Sequence, residues 1–308
     1  MDWFQSLRAD PGSIGALTVV KTAITVMCVA AVLWIGRQFG DRASGILAGL
    51  PVVTAPTLMW LATRDVPDFA IRAAVNVMSA TAAYAFFALL YAHLCTKLRA
   101  VTCLAVALAV SLLVAALFVS IPASRMQTLI VALIVCAAIR WFMPEPMQGV
   151  RTPSVPAAAK PPLQIPIWAV AMNAGLVCGG IIYFSAYLPA HWVGMLASVP
   201  IIGATIAISA HQRLGVPQAR RGLIGYVEGC GVKILFCFVF AETLRAQGLA
   251  LATLYAIVAC AVMVMLLNTR TFFRRANAND DRRYPSVGSP AGGYPRMANA
   301  PTPSTTSW

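Results

Sequence analysis

The chain has 308 residues, of which 59% are hydrophobic and 11% charged, and its mean hydropathy is +0.76. Soluble domains carry about a quarter charged residues, so the composition excludes an ordinary water-soluble globule and points to a polytopic membrane protein. The net charge of +13 falls in loops and in the C-terminal tail, where it sets membrane orientation, and nucleic acid is not an expected partner.

Hydrocarbon offers the backbone no hydrogen-bond partners, so spans must be helices or a closed barrel. The continuous apolar runs here lack the alternation of barrel strands. The expected fold class is therefore an all-α polytopic membrane protein. Eight cysteines are scattered without a C-x-x-C pair or a Cys/His cluster. They read as small packing residues, so neither a metal nor another cofactor is expected.

The first 13 residues lack the basic start and small-residue cleavage site of a removable signal peptide. Apolar runs then predict spans at 14–35, 44–62, 69–94, 101–119 and 126–142. Each is long enough to cross about 30 Å of hydrocarbon at about 1.5 Å per residue, the shortest with local thinning. Residues 144–166 are rich in proline and read as an extended cytoplasmic linker between two halves. Further spans are expected at 168–188, 192–210, 222–244 and 249–267, making about nine transmembrane helices. The domains are thus a first membrane repeat with a connecting span (1–143), the linker, a second repeat (167–268) and a disordered basic tail (269–308).

The nine-span trace puts 16 basic residues on the tail's side of the membrane and 5 on the other. That bias predicts the N-terminus out and the C-terminus in the cytoplasm, in a bacterial inner membrane.

An internal similarity gives the trace its meaning. The segment 45–53, GILAGLPVV, returns 149 residues later at 194–202 as GMLASVPII, and in the same register Arg64 falls on Arg213, Arg72 on Arg221 and Phe87 on Phe236. The first copy lies in span two and the second in span seven, so the copies run in opposite directions. This implies an inverted repeat of four plus four spans, with span five as connector, an architecture typical of secondary transporters.

Several residues stand out against the apolar background. Pro51 and Pro200 occupy the middle of their spans, with Gly49 and Gly194 before them. Proline removes a donor and clashes with the carbonyl four residues back, so both helices are expected to kink or break there, although membrane helices also use proline for simple bends. Span three carries Arg72, Asn76 and Ser79 at i, i+4 and i+7, matched by Arg221, Gly225 and Glu228 in span eight; each set shares a helical face. Glu228 lies about 10 Å below the span end, deep enough that it is either a proton-coupling carboxyl or half of a structural pair. Lys233 and Lys21 are the other deep charges. Two cations and one carboxylate favour an anionic substrate, and Asn173 in span six is a weaker lining candidate. The histidines at 93, 191 and 211 and the tryptophans at 34, 60, 141, 168 and 192 fall mostly near span ends and read as interfacial groups.

The leading expectation is a non-enzymatic secondary active transporter of a small, anionic organic solute, coupled to protons through Glu228. Its partners are the bilayer, the solute and, as one option, a second copy in a homodimer. No Walker sequence, H-E-x-x-H or G-x-S-x-G is present. A non-catalytic membrane scaffold is the alternative, and an intramembrane enzyme acting on lipid or glycan is the third reading.

Overall fold

The computed structural model describes residues 11–37, 41–64, 67–144, 167–185 and 187–283, with side chains at 19–31, 34, 45–63, 67–144, 168–185 and 187–267. The expected linker, from 145 to 166, and the tail from 284 onward lie outside the described residues. Every regular element within them is an α-helix. In chain order they are α1 (Pro11–Arg37), α2 (Asp41–Gly49), α3 (Thr54–Arg64), α4 (Pro67–Leu94), α5 (Ala100–Ser120), α6 (Arg125–Phe142), α7 (Ile167–Phe184), α8 (Ala190–Ala197), α9 (Ile201–Leu214) and α10 (Val216–Arg283). The chain divides into two compact units, 1–265 and 266–308. Within the second, α10 remains helical to Arg283.

Six helical segments among the described residues are long and apolar enough to cross a membrane: Gly45–Thr63, Pro67–Leu94, Ala100–Ser120, Arg125–Phe142, Ala190–Leu214 and Val216–Leu267. Two shorter apolar helices, Val19–Ala31 and Trp168–Phe184, accompany them. The chain is an all-helical membrane protein. α10 is broken at Gly248, whose φ of 76° is a left-handed conformation that side chains resist. The break separates a first limb, 216–247, from a second that starts at 249.

Burial sorts the helices into a centre and a periphery. α4 and the first limb of α10 are buried nearly all round, and they meet where Phe87 packs edge-on against Tyr226 with ring centroids 6.3 Å apart. α5 buries only Ala100, Cys103, Ala107, Ser111 and Ala115, a stripe of small residues at helical spacing, while Leu113 and Leu117 are each 68% exposed. Small residues let backbones approach when no hydrophobic effect draws helices together, and the bulky side chains are left for lipid. The second limb of α10 follows the same rule with Ala252, Thr253 and Ala256.

α1 and α7 form a second tight pair. An added Cβ on Gly175 would stand 2.2 Å from Val26, and one on Gly179 would stand 2.2 Å from the Thr22 hydroxyl. Beside this contact, the Cys178 thiol lies 3.7 Å from Thr25 Oγ1 and 3.1 Å from Thr57 Oγ1, joining α1, α3 and α7 through buried polar groups.

Candidate functional site

Two of the long apolar segments, Gly45–Thr63 and Ala190–Leu214, leave the helix in mid-course, at 50–53 and 198–200, and each break holds a proline. At the first, Val52 N–H donates to the Leu50 carbonyl (2.8 Å) around Pro51, and Ala55 N–H to the Pro51 carbonyl (2.7 Å). At the second, Ile201 N–H donates to Val199 (2.8 Å) around Pro200, and Ala204 N–H to the Pro200 carbonyl (2.7 Å). Each pair of equivalent atoms is 149 residues apart. With φ −78° and ψ 54°, Pro200 is the centre of an inverse γ-turn, the tightest reversal a proline ring allows without strain. Pro56 stays inside α3 because it sits in the first turn, where its missing N–H would have had no helical partner.

The half-helices that end at these turns pack on the two central helices in a reciprocal way. A Cβ on Gly45 would meet the Gly222 carbonyl oxygen (2.1 Å) and Tyr226 N (3.1 Å); one on Gly194 would meet the Ala73 carbonyl oxygen (2.6 Å) and Val77 N (3.0 Å). Residues 73 and 222, and 77 and 226, are again 149 apart. Gly49 abuts the Tyr226 carbonyl, and Ser198, its equivalent, sends its hydroxyl to the Val77 carbonyl (3.3 Å) as well as to Gly194 (2.9 Å). So α2 lies on α10 and α8 on α4, backbone to backbone.

The two breaks also touch each other. Thr54 Oγ1, just past the first, donates to the carbonyl of Ala197, the last residue of α8, at 3.0 Å. A helix end leaves carbonyls without partners, and here one is satisfied from the opposite break.

The charged and polar candidates distribute around this centre. Glu228, on α10, pairs with Arg140 of α6 (3.6 Å), the carboxylate side chain being 11% exposed. At the other end of α6, Arg125 pairs with Glu242 (3.4 Å) and donates to the Ala241 carbonyl (3.5 Å), so α6 runs antiparallel to the first limb of α10 with an ion pair at each end. Lys233 is 5% exposed and lies in the neighbourhood of Cys136, Cys230 and Cys237. Lys21 places its ammonium 5.0 Å from the centroid of Trp60, a cation–π contact between two partly buried side chains. Asn173 is exposed on α7.

Asn76 and Ser79 line an open cleft of about 620 Å³ at the N-terminal end of α4, together with Arg72, Asp68, Arg125 and Arg245. Arg245 is bonded to Asp68. Arg72 is exposed and forms no ion pair among the described residues, so the cleft keeps a free positive charge. Asn76 spends one N–H on the Arg72 carbonyl (2.8 Å) and retains its oxygen and second N–H. Among the described residues no group of three or more His, Cys, Asp or Glu side chains could hold a metal.

No protein-family model, curated protein or solved structure matches the chain.

Other polar contacts carry no signal in the sequence. The hydroxyl of buried Tyr91 meets His211 Nδ1 at 3.1 Å, tying α4 to α9. Thr81, Tyr84 and Tyr226 bury their hydroxyls in the middle of the central helices. Single aromatics in an apolar run look like packing, and only the neighbouring helices decide which of their hydroxyls lack a partner.

Proposed function

We propose that the chain is a secondary active transporter, an inverted repeat of four plus four spans around a connecting span, that moves a small organic anion across a bacterial inner membrane with proton coupling through Glu228. The observation that carries this reading is the pair of equivalent helix breaks meeting through Thr54 and Ala197 at the junction of two reciprocally packed half-helices. Discontinuous helices are where secondary transporters place substrate and ion sites, because unwound backbone and half-helix ends supply dipoles at the membrane midplane.

Further features support the parts of the proposal. Nine passes follow when the two shorter apolar helices are added to the six longer ones and Gly248 divides Val216–Leu267 in two. On that count α2–α3 and α8–α9 cross in opposite directions. Gly175 and Val26, in contact, are themselves 149 apart, as residues on a pseudo-two-fold axis must be. On the same count the cleft at Arg72 opens at the outer face, and its spare guanidinium suits a carboxylate or another anion. Glu228, shielded and paired with Arg140, is a carboxyl whose protonation would release that arginine.

The test is transport by the full chain in proteoliposomes, with a panel of radiolabelled mono- and dicarboxylates and an imposed pH gradient. Uptake that follows the gradient, and loses its pH dependence in a folded Glu228→Gln variant, is the expected result. Absence of uptake of every panel member, or terminal reporters placing both chain ends on one side of the membrane, overturns the reading.

A further inference from the structure

We propose that the transported anion is held at the centre of the protein by the hydroxyls of Thr81, Tyr84 and Tyr226, between α4, α10 and the turn at Pro200, and that it is a small monocarboxylate. The proposal rests on the carrier reading for its biological role, but not for its geometry.

The hydroxyl-bearing residues are 0%, 0% and 2% exposed, and none of the three hydroxyls has a hydrogen-bond partner among the described residues. A buried polar group without a partner costs about 1–3 kcal/mol, and native interiors keep few of them. Three together mark a place where the fold presents donors to something else.

Their positions agree. Thr81 and Tyr84 are three apart and share a face at the middle of α4. Tyr226 reaches the same stretch of α4 from α10: its ring lies edge-on to Phe87, three residues beyond Tyr84, with centroids 6.3 Å apart. The Cys230 thiol is beside Tyr226 without the geometry of a hydrogen bond. Lys233, 5% exposed, lies in the neighbourhood of Cys230 and Cys136. Tyr84 packs on Met195, Leu196 and Val199 at the second helix break, and the Tyr226 ring lies against Gly203 just beyond it. In the 149-residue register Thr81 is equivalent to Cys230 and Tyr84 to Lys233, so the groups sit at one level of both halves.

The chemistry selects the ligand. Hydroxyls, thiols and one ammonium all donate, and the adjacent carboxylate on α10, Glu228, is already engaged by Arg140. Acceptor oxygens bearing a single negative charge complement this set: a carboxylate, with the apolar rings of Tyr84, Phe87 and Tyr226 left for a short organic body.

The experiment uses the full chain and the variants Tyr84→Phe, Tyr226→Phe and Thr81→Val, with acetate, lactate and benzoate as probes and chloride and succinate for comparison. Melting is followed in detergent and uptake in proteoliposomes. At least one monocarboxylate should raise the melting temperature of the parent protein more than chloride or succinate does. The variants, relieved of an unmet hydroxyl, should melt at or above the parent without probe, lose the probe's stabilisation and show KM raised at least tenfold. Variants that melt lower and keep the full probe response would mean that the hydroxyls serve structural water, and the proposal fails. It fails also if no monocarboxylate stabilises the parent. Uptake with unchanged KM in all three variants removes this site and leaves the carrier reading standing; stabilisation without any uptake does the reverse.

Discussion

Alanine at Gly45 or Gly194 tests the packing of the half-helices on the central pair. A Cβ at Gly45 would lie 2.1 Å from the Gly222 carbonyl oxygen, about 1.3 Å short of ordinary contact at 3.4 Å, and at Gly194 it would lie 2.6 Å from the Ala73 carbonyl oxygen, about 0.8 Å short. In both cases the opposing atom is backbone and cannot rotate away, so a whole helix must shift. Overpacking of this kind costs about 1–3 kcal/mol, against a helix-propensity gain of about 1 kcal/mol for replacing glycine. Gly180 and Gly231 provide the internal control, because a Cβ at either meets nothing within 4 Å. Unfolding in mixed micelles should therefore show Gly45→Ala and Gly194→Ala less stable than the parent, with Gly45→Ala the worse, while Gly180→Ala and Gly231→Ala are neutral or slightly stabilising. Equal effects at all four positions would refute the close backbone approach and the reciprocal packing read from it.

Other substitutions probe the junction, the ion pair and the cleft. Thr54→Val removes the buried bond to the Ala197 carbonyl at nearly constant volume; it should cost about 1–2 kcal/mol in the same unfolding assay and lower transport further than that loss of stability explains. Arg140→Ala withdraws the ion-pair partner of Glu228, whose side chain is 11% exposed, and should destabilise by about 1–3 kcal/mol. Adding Glu228→Gln should restore part of that loss, so a double variant as unstable as the sum of the singles would show that the pair is not coupled. Arg72→Ala should raise KM for an anionic solute about tenfold and weaken the salt dependence of uptake with little change in stability, whereas an unchanged KM would remove the cleft from the transport path.

The class of this protein is legible in its composition, because long apolar runs have no other use than burial in lipid or in a very large core. Local geometry was legible where a residue acts through its own backbone: Pro51 and Pro200 coincide with the breaks at 50–53 and 198–200, since a missing N–H needs no distant partner to take effect. What a side chain does across a helix interface was not legible. Trp60 sits near a span end in the sequence, yet α1 brings Lys21 over its ring. Asn173 has the right polarity for a lining residue, and on α7 it is exposed. His211 reads as a loop-edge residue and lies in the last turn of α9, where it also meets buried Tyr91. Each of these depends on the azimuth of a neighbouring helix, which no single segment encodes.

α6 has no equivalent in the 149-residue register, and this has a thermodynamic consequence. A carrier made of two interchangeable halves would hold its two exchanged arrangements at equal free energy. Here the unmatched helix packs along α4 but is fastened by ion pairs to α10 alone, through Arg125 at one end and Arg140 at the other. On the proposed carrier reading this lifts the degeneracy, and the resting orientation would be set by a helix that belongs to neither half.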